Sequence, residues 1–197
     1  MTLPFDTLAT EARAAAMNAK HCMVDLETLG RRPYCPVLTI GACAFNLDDD
    51  LPIVDVFYQA VRLDSCLEVG LRVNADTLKW WMEQNDAART AAFLDPHAVK
   101  LPNALDAFTD WIGSRPMQFW GNSARFDMGI LEAAYTACGK EVPWLFRNER
   151  DYRTVKGLVA AKDIPLTRVG MLHQAQDDAV SQANHLRAIC KQLQLQF

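Results

Sequence analysis

The chain has no two cysteines at C-x-x-C spacing, although Cys22, Cys35, Cys43, Cys66, Cys138 and Cys190 are scattered along it. Zinc fingers need paired ligands at short intervals and are disfavoured by that absence. Several of these cysteines lie in apolar runs and read as reduced core residues, which gives the expectation of a cytoplasmic protein. No stretch approaches the roughly 20 apolar residues needed to span a bilayer, so no membrane partner is expected. The segment from Met1 to Ala19 contains acids and lacks the basic start and apolar core of a signal peptide. Positive charge is not in excess: 20 Lys and Arg stand against 24 Asp and Glu, a net charge of −4. That argues against a broad basic face for nucleic acid. It leaves room for an enzyme gripping a few nucleotides at a metal-filled cleft, because bound cations reverse the local sign. There is no G-x-x-x-x-G-K-[ST] loop, which argues against a P-loop NTPase. No Ser or Cys nucleophile motif, internal repeat or domain linker is evident.

What is present is a chain of 197 residues, 50% hydrophobic, enough for one domain with a real core. Residues 1–19 read as an N-terminal extension, helical from Leu8, and residues 20–197 as the domain. Lys20–Val24 is apolar and β-prone and leads into Asp25-Leu26-Glu27 as a buried strand. Val37–Phe45 reads as a second strand, and Ile53–Leu63 as a third, after the polar turn at Asp48-Asp49-Asp50. Together they form an antiparallel meander. From Asn74 the pattern turns helical. Asn74 or Asp76 can cap a helix through Trp80, Trp81 and Met82, and another helical pattern follows Asn85. Helices are further expected over Leu101–Ile112, Ser123–Cys138, Asp151–Ala161 and Asp177–Leu193, with a short strand at Met117–Gly121. This succession is an α/β arrangement on a mixed sheet.

The chemistry is concentrated in a few acids. Residues two apart in a strand share a face, so Asp25 and Glu27 point the same way at the end of a hydrophobic strand. Two carboxylates that close repel and lose hydration unless a cation sits between them. In isolation a D-x-E is most often a solvated strand end. Asp127, in Asn122-Ser123-Ala124-Arg125-Phe126-Asp127, falls in the first turn of a helix, where an acid also gains from the helix dipole. His173-Gln174-Ala175-Gln176-Asp177-Asp178 leads into the last helix, and on its own could be a loop histidine followed by a capping Asp. Taken together, Asp25, Glu27, Asp127, Asp178 and His173 offer four carboxylates and one imidazole. Two divalent cations, Mg²⁺ or Mn²⁺, would balance those carboxylates, activate a water and stabilise the leaving oxygen of a phosphodiester. A histidine titrating near neutrality can take the proton from that water.

With D-x-E on the first strand, an N-x-x-F-D-like segment and a C-terminal H-x-x-x-x-D, the sequence resembles the DEDDh branch of the DEDD 3′–5′ exonucleases. The likeness runs from about Lys20 to Leu193. A narrower likeness is carried by Thr77-Leu78-Lys79-Trp80-Trp81, by Arg150-Asp151-Tyr152-Arg153-Thr154 and by the short connection from Gly30 to Ile40-Gly41-Ala42. It is to the small group containing bacterial RNase AS and phage exonuclease A.

The resemblance implies a ribonuclease H-like fold, a mixed five-stranded sheet flanked by helices. It implies that Asp25, Glu27, Asp127 and Asp178 hold two metal ions, with Asp25 bridging them and His173 as general base. The expected partner is a single-stranded RNA or DNA 3′ end, RNA favoured, shortened to nucleoside 5′-monophosphates. A homodimer that completes the substrate groove is a further expectation. The H-x-x-x-x-D interval selects Asp178 and leaves Asp177 as a cap. Leu29 is nominated to wedge against the terminal base, with Thr28 and Asn122 nearby. Adjacent helical residues point about 100° apart, so of Trp80 and Trp81 one belongs in the core and the other along the cleft, with Trp80 the candidate for substrate. Asp151 and Arg153 read as braces beneath the site, with reach to a phosphate the alternative for Arg153. Rival readings are a hydrolase of short oligonucleotides and a catalytically silent nucleic-acid-binding domain on the same fold.

Overall fold

The computed structural model describes residues 5–197; residues 1–4 of the expected N-terminal extension lie outside the described residues. Helix α1 (Phe5–Met17) precedes the sheet and packs against it. Strand β1 (His21–Thr28) is followed by β2 (Val37–Phe45) and β3 (Asp55–Ala60), each antiparallel to the strand before it. Next come α2 (Leu63–Glu68), α3 (Ala75–Met82), α4 (Asp86–Phe93) and α5 (Leu101–Ile112). Strand β4 (Gln118–Gly121) then inserts parallel to β1, and α6 (Ala124–Ala137) leads to β5 (Glu149–Asp151), parallel to β4. The chain closes with α7 (Tyr152–Lys156) and α8 (Ala175–Leu193). Sheet order is β3-β2-β1-β4-β5, the expected mixed five-stranded sheet flanked by helices.

Alternation along β1 sets the two layers. Cys22, Val24 and Leu26 belong to the core that α5 and α6 cover with Leu105, Phe108, Met128 and Leu131. Met23 belongs to the other core, which α8 covers with Ala179, Ala183, Leu186 and Ile189. By the period of two, Asp25 and Glu27 continue the Met23 face and meet α8.

Several boundaries differ from the sequence reading, each for a local reason. The third strand is shorter than expected, because Arg62 turns to donate its N–H to the Val99 carbonyl and α2 begins at Leu63. Strand β5 and α2 were not visible in the apolar pattern. Of the two capping candidates for α3, Asn74 does the work, its Oδ1 accepting from Thr77 N at 3.0 Å. The expected capping role of Asp177 is corrected: α8 starts earlier, capped by Gln174, whose Oε1 accepts from Asp177 N at 2.7 Å. Asp177 instead accepts from Met171 N at 2.7 Å and ties down the preceding loop. Among the described residues no helix is long and apolar enough to cross a membrane.

Candidate active site

Three elements bring acids to the carboxyl ends of β1 and β4. Strand β1 supplies Asp25 and Glu27, the first turn of α6 supplies Asp127, and the first turn of α8 supplies Asp178. Two glycines make this approach possible. Gly41 is the β2 partner of Asp25, and a Cβ there would lie 2.1 Å from the carbonyl carbon of Ala175, so only a bare backbone lets α8 start so close to the sheet. Gly121 does the same at the end of β4, where a Cβ would sit 2.8 Å from Asp127 Oδ2.

Asp25, Glu27, Asp127, His173 and Asp178 all line one cavity of about 280 Å³, together with Asn122, Arg153, Arg168 and Gln182. Asp127 is almost fully buried, and its Oδ2 accepts from Asn122 N at 2.6 Å. Asp25 Oδ1 accepts from Gln182 Nε2 at 2.7 Å. Asp178 accepts from the backbone N–H of His173 at 2.9 Å and from Arg168 at 2.7 Å. His173 adopts the left-handed region, φ +63°, which aims its N–H back at Asp178. Its ring stands edge-on to Trp80, centroids 5.2 Å apart. Ligand atoms of Glu27, His173 and Asp178 lie within 4.8 Å of one another.

The electrostatics follow from this crowding. Burial, and then the carboxylates of Asp25, Asp178 and Asp127, push Glu27 up to about 9. Burial and Asp178 raise Asp25, against the opposing effect of the Gln182 hydrogen bond. Burial and Asp25 raise Asp127, opposed by backbone N–H donors. Four carboxylates around one cavity are thus short of positive charge. Asn122 Oδ1 and Gln182 Oε1 are buried there with no hydrogen-bond partner among the described residues, two more oxygens that could accept from a cation's water shell. An oxygen-rich donor set of this kind fits Mg²⁺ or Mn²⁺.

A second cavity, about 470 Å³, shares Leu26, Glu27 and Phe126 with the first and opens toward Thr77, Trp80 and Arg31. Trp80 is 39% exposed on its wall, whereas Trp81 is 1% exposed and donates its ring N–H to the Thr28 carbonyl at 2.9 Å. Thr28 also lines this cavity, with its hydroxyl donating to the Gly30 carbonyl at 2.7 Å. Leu29 does not take the place expected of it. The β1–β2 register shifts between Glu27 and Thr28, and Leu29, 1% exposed, packs into the core with Leu38 and Trp81. A buried Leu29 offers no surface to a base.

Asn122 and Arg153 both reach the smaller cavity, and Arg153 donates to the Asn122 carbonyl at 2.7 Å. Asp151 is a brace: it caps α7 through Thr154 N at 2.7 Å and holds Ala124 N, at the start of α6, at 3.1 Å. Sequence reasoning missed Gln182, Arg168 and Phe126. For Gln182 a signal existed, since it lies four residues after Asp178 and so on the same face of α8.

This sheet order, with its helical layers, is the fold of the DEDDh ribonuclease H-like nucleases. It is shared with Pop2p of S. pombe in its Mg²⁺- and Mn²⁺-bound form (TM-score 0.61, 12% identity, 94% of this chain and 90% of that one). It is also shared with the nuclease domain of 3′hExo, a DEDDh family member bound to rAMP (TM-score 0.56, 14% identity, 87% and 91%). Exonuclease X in complex with 5′ overhanging duplex DNA is a third such structure (TM-score 0.54, 15% identity, 89% and 93%). No curated protein matches the sequence at a significant level. The family profile described as the 3′-5′ exoribonuclease Rv2179c-like domain matches residues 20–190, and the chain belongs to that family. It is a 3′–5′ exonuclease.

Proposed function

We propose that the protein is a divalent-metal-dependent exoribonuclease that removes nucleoside 5′-monophosphates from single-stranded RNA 3′ ends. The observation that carries this reading is the convergence of Asp25, Glu27, Asp127, Asp178 and His173 on one cavity. Asp25, Glu27, Asp127 and Asp178 would hold two ions, Mg²⁺ or Mn²⁺. When bound, these supply the positive charge that activates a water and stabilises the departing 3′-oxygen. His173 takes the proton from the attacking water as general base, its ring oriented by Trp80 and its backbone by Asp178. The water oxygen bonds to phosphorus, the P–O3′ bond breaks, the departing 3′-oxygen takes a proton from solvent, and the shortened strand leaves with a free 3′-hydroxyl. Gln182 keeps the Asp25 carboxylate in one orientation.

The terminal nucleoside occupies the larger cavity, whose volume lies within the ~300–1,000 Å³ typical of small-molecule pockets. Trp80 offers its exposed face to the base there, and Thr28 lines the wall. The match to a family profile described as an exoribonuclease domain supports RNA over DNA in this reading.

Incubating 5′-labelled single-stranded RNA and DNA of equal sequence with Mg²⁺, Mn²⁺ or EDTA tests the reading, with Asp25→Ala and His173→Ala alongside. A metal-dependent ladder shortening from the 3′ end, faster on RNA and lost in both variants, is expected. Cleavage that persists in EDTA, or an undiminished ladder with His173→Ala, would sink it.

A further inference from the structure

Cations gather beside the active site of this protein. Some cations of the chain are matched with acids, as in Lys140–Asp106 and Lys191–Asp50. Among the described residues Arg153 and Lys156 form no salt bridge, which leaves their charge available to a ligand. Among the described residues Arg153 donates only to the Asn122 carbonyl, and Lys156 lies over the Tyr152 ring, 4.9 Å from its centroid. The two are three residues apart on α7 and so share a face. Arg168 stands in the wall of the same cavity as Arg153, and a single one of its nitrogens is committed to Asp178. Burial and the nearness of Arg153 and Arg168 pull the Lys156 ammonium below its ordinary range, as three cations gathered together should.

Their position relative to the cavities gives them a direction. The larger cavity and the carboxylate cavity adjoin, with Leu26, Glu27 and Phe126 lining both. Arg153 and Arg168 line the second and are absent from the first. With the terminal nucleoside in the larger cavity and the scissile phosphate among the carboxylates, the strand leaves across α7. Guanidinium groups with free donors are suited to phosphate oxygens.

Resting on the exonuclease reading above, we propose that Arg153, Lys156 and Arg168 form a phosphate-binding rim for the strand 5′ of the scissile bond. The rim makes the enzyme prefer strands of three or more nucleotides over a dinucleotide, which has no phosphate to place there. It is an electrostatic grip on the backbone and reads no base.

The test compares kcat/KM on a 12-nucleotide single-stranded RNA and on the dinucleotide ApA for wild type, Lys156→Glu and the Arg153→Ala/Lys156→Ala double variant. Lys156→Gln retains much of the aliphatic stem over Tyr152 and separates lost charge from lost packing. Lys191→Glu, a cation paired with Asp50 on α8, controls for net charge. The 12-mer should lose at least about tenfold through KM, and the ratio of 12-mer to ApA should collapse. Log affinity against log salt should flatten by about 0.7 for each phosphate contact removed. An equal loss on both substrates, or none on the 12-mer, overturns the rim. If the wild type cleaves neither substrate, the exonuclease reading has failed instead. Anisotropy of a labelled 12-mer then decides the rim by itself: weaker binding in Lys156→Glu at low salt supports it, and unchanged binding overturns it.

Discussion

Gly41 stands opposite Asp25 in the β1–β2 ladder, and it lets the backbone of Ala175 press directly onto the sheet. The first turn of α8, with Asp178, is thereby seated beside the strand that carries Asp25 and Glu27. Gly41→Ala must push α8 outward, because the obstruction is backbone and cannot rotate away. Overpacking of this kind costs about 1–3 kcal/mol. A displacement near 1 Å at a catalytic group can reduce rate about 100-fold. The variant should therefore melt at lower temperature and lose at least that much kcat on single-stranded RNA. Wild-type kcat in a folded Gly41→Ala protein would contradict this account.

Gln182 holds Asp25 through a hydrogen bond that favours the ionised carboxylate. Removing it in Gln182→Ala raises the proton affinity of Asp25 further and frees its orientation. Losing such a supporting partner typically weakens metal binding by about 10- to 100-fold. The Mn²⁺ concentration for half-maximal activity should rise by that order, with the activity at saturating Mn²⁺ falling less. A titration curve superimposable on wild type would remove Gln182 from the positioning role.

Legibility in the sequence tracked how local each signal was. Asp25 and Glu27 stood out because a period of two fixes them on one face whatever the rest of the chain does. The acids Asp127 and Asp178 were legible through short motifs at helix starts. Strand β5 was not, since Glu149, Arg150 and Asp151 show no apolar alternation. Its pairing with β4 is non-local, and two of its side chains serve Trp144 and the start of α6. Leu29 misled because a register irregularity after Glu27 breaks the alternation that would have kept it on the Asp25 face. Arg168 reaches Asp178 from a loop, across ten residues with no periodicity to announce it.

The two adjacent tryptophans should separate stability from substrate grip. Trp81 is core, hydrogen-bonded and packed against Phe93, so Trp81→Ala should cost about 3–5 kcal/mol. Trp80 is substantially exposed on the larger cavity. Stacking of a base on such a ring is worth about 1–3 kcal/mol by alanine substitution, so Trp80→Ala should raise KM with only a small change in melting temperature. Melting and steady-state kinetics on the two variants check this, and a Trp80→Ala protein with wild-type KM would exclude the base from that wall.

The raised carboxylates give the metal-free protein a pH dependence of definite sign. Glu27 titrates at about 9 in the fold, against an ordinary value of 4.5. Between those values the folded state holds a proton that the unfolded chain has released, so raising pH draws stability away from the fold. Asp25 and Asp127 are shifted in the same direction and add to the effect. Their contribution is fully present below the unfolded carboxylate range and is lost as pH climbs through neutrality to about 9. Metal ions compete with these same protons. Melting temperature in EDTA should therefore fall from pH 5 to pH 9, while the rise produced by Mn²⁺ grows over the same interval. Calorimetric titration of Mn²⁺ at pH 7, in two buffers of different ionisation enthalpy, should register net proton release. In Glu27→Gln the slope in EDTA should flatten, because the raised Glu27 carboxyl no longer titrates. A slope unchanged by Glu27→Gln would place the pH sensitivity outside this carboxylate cluster.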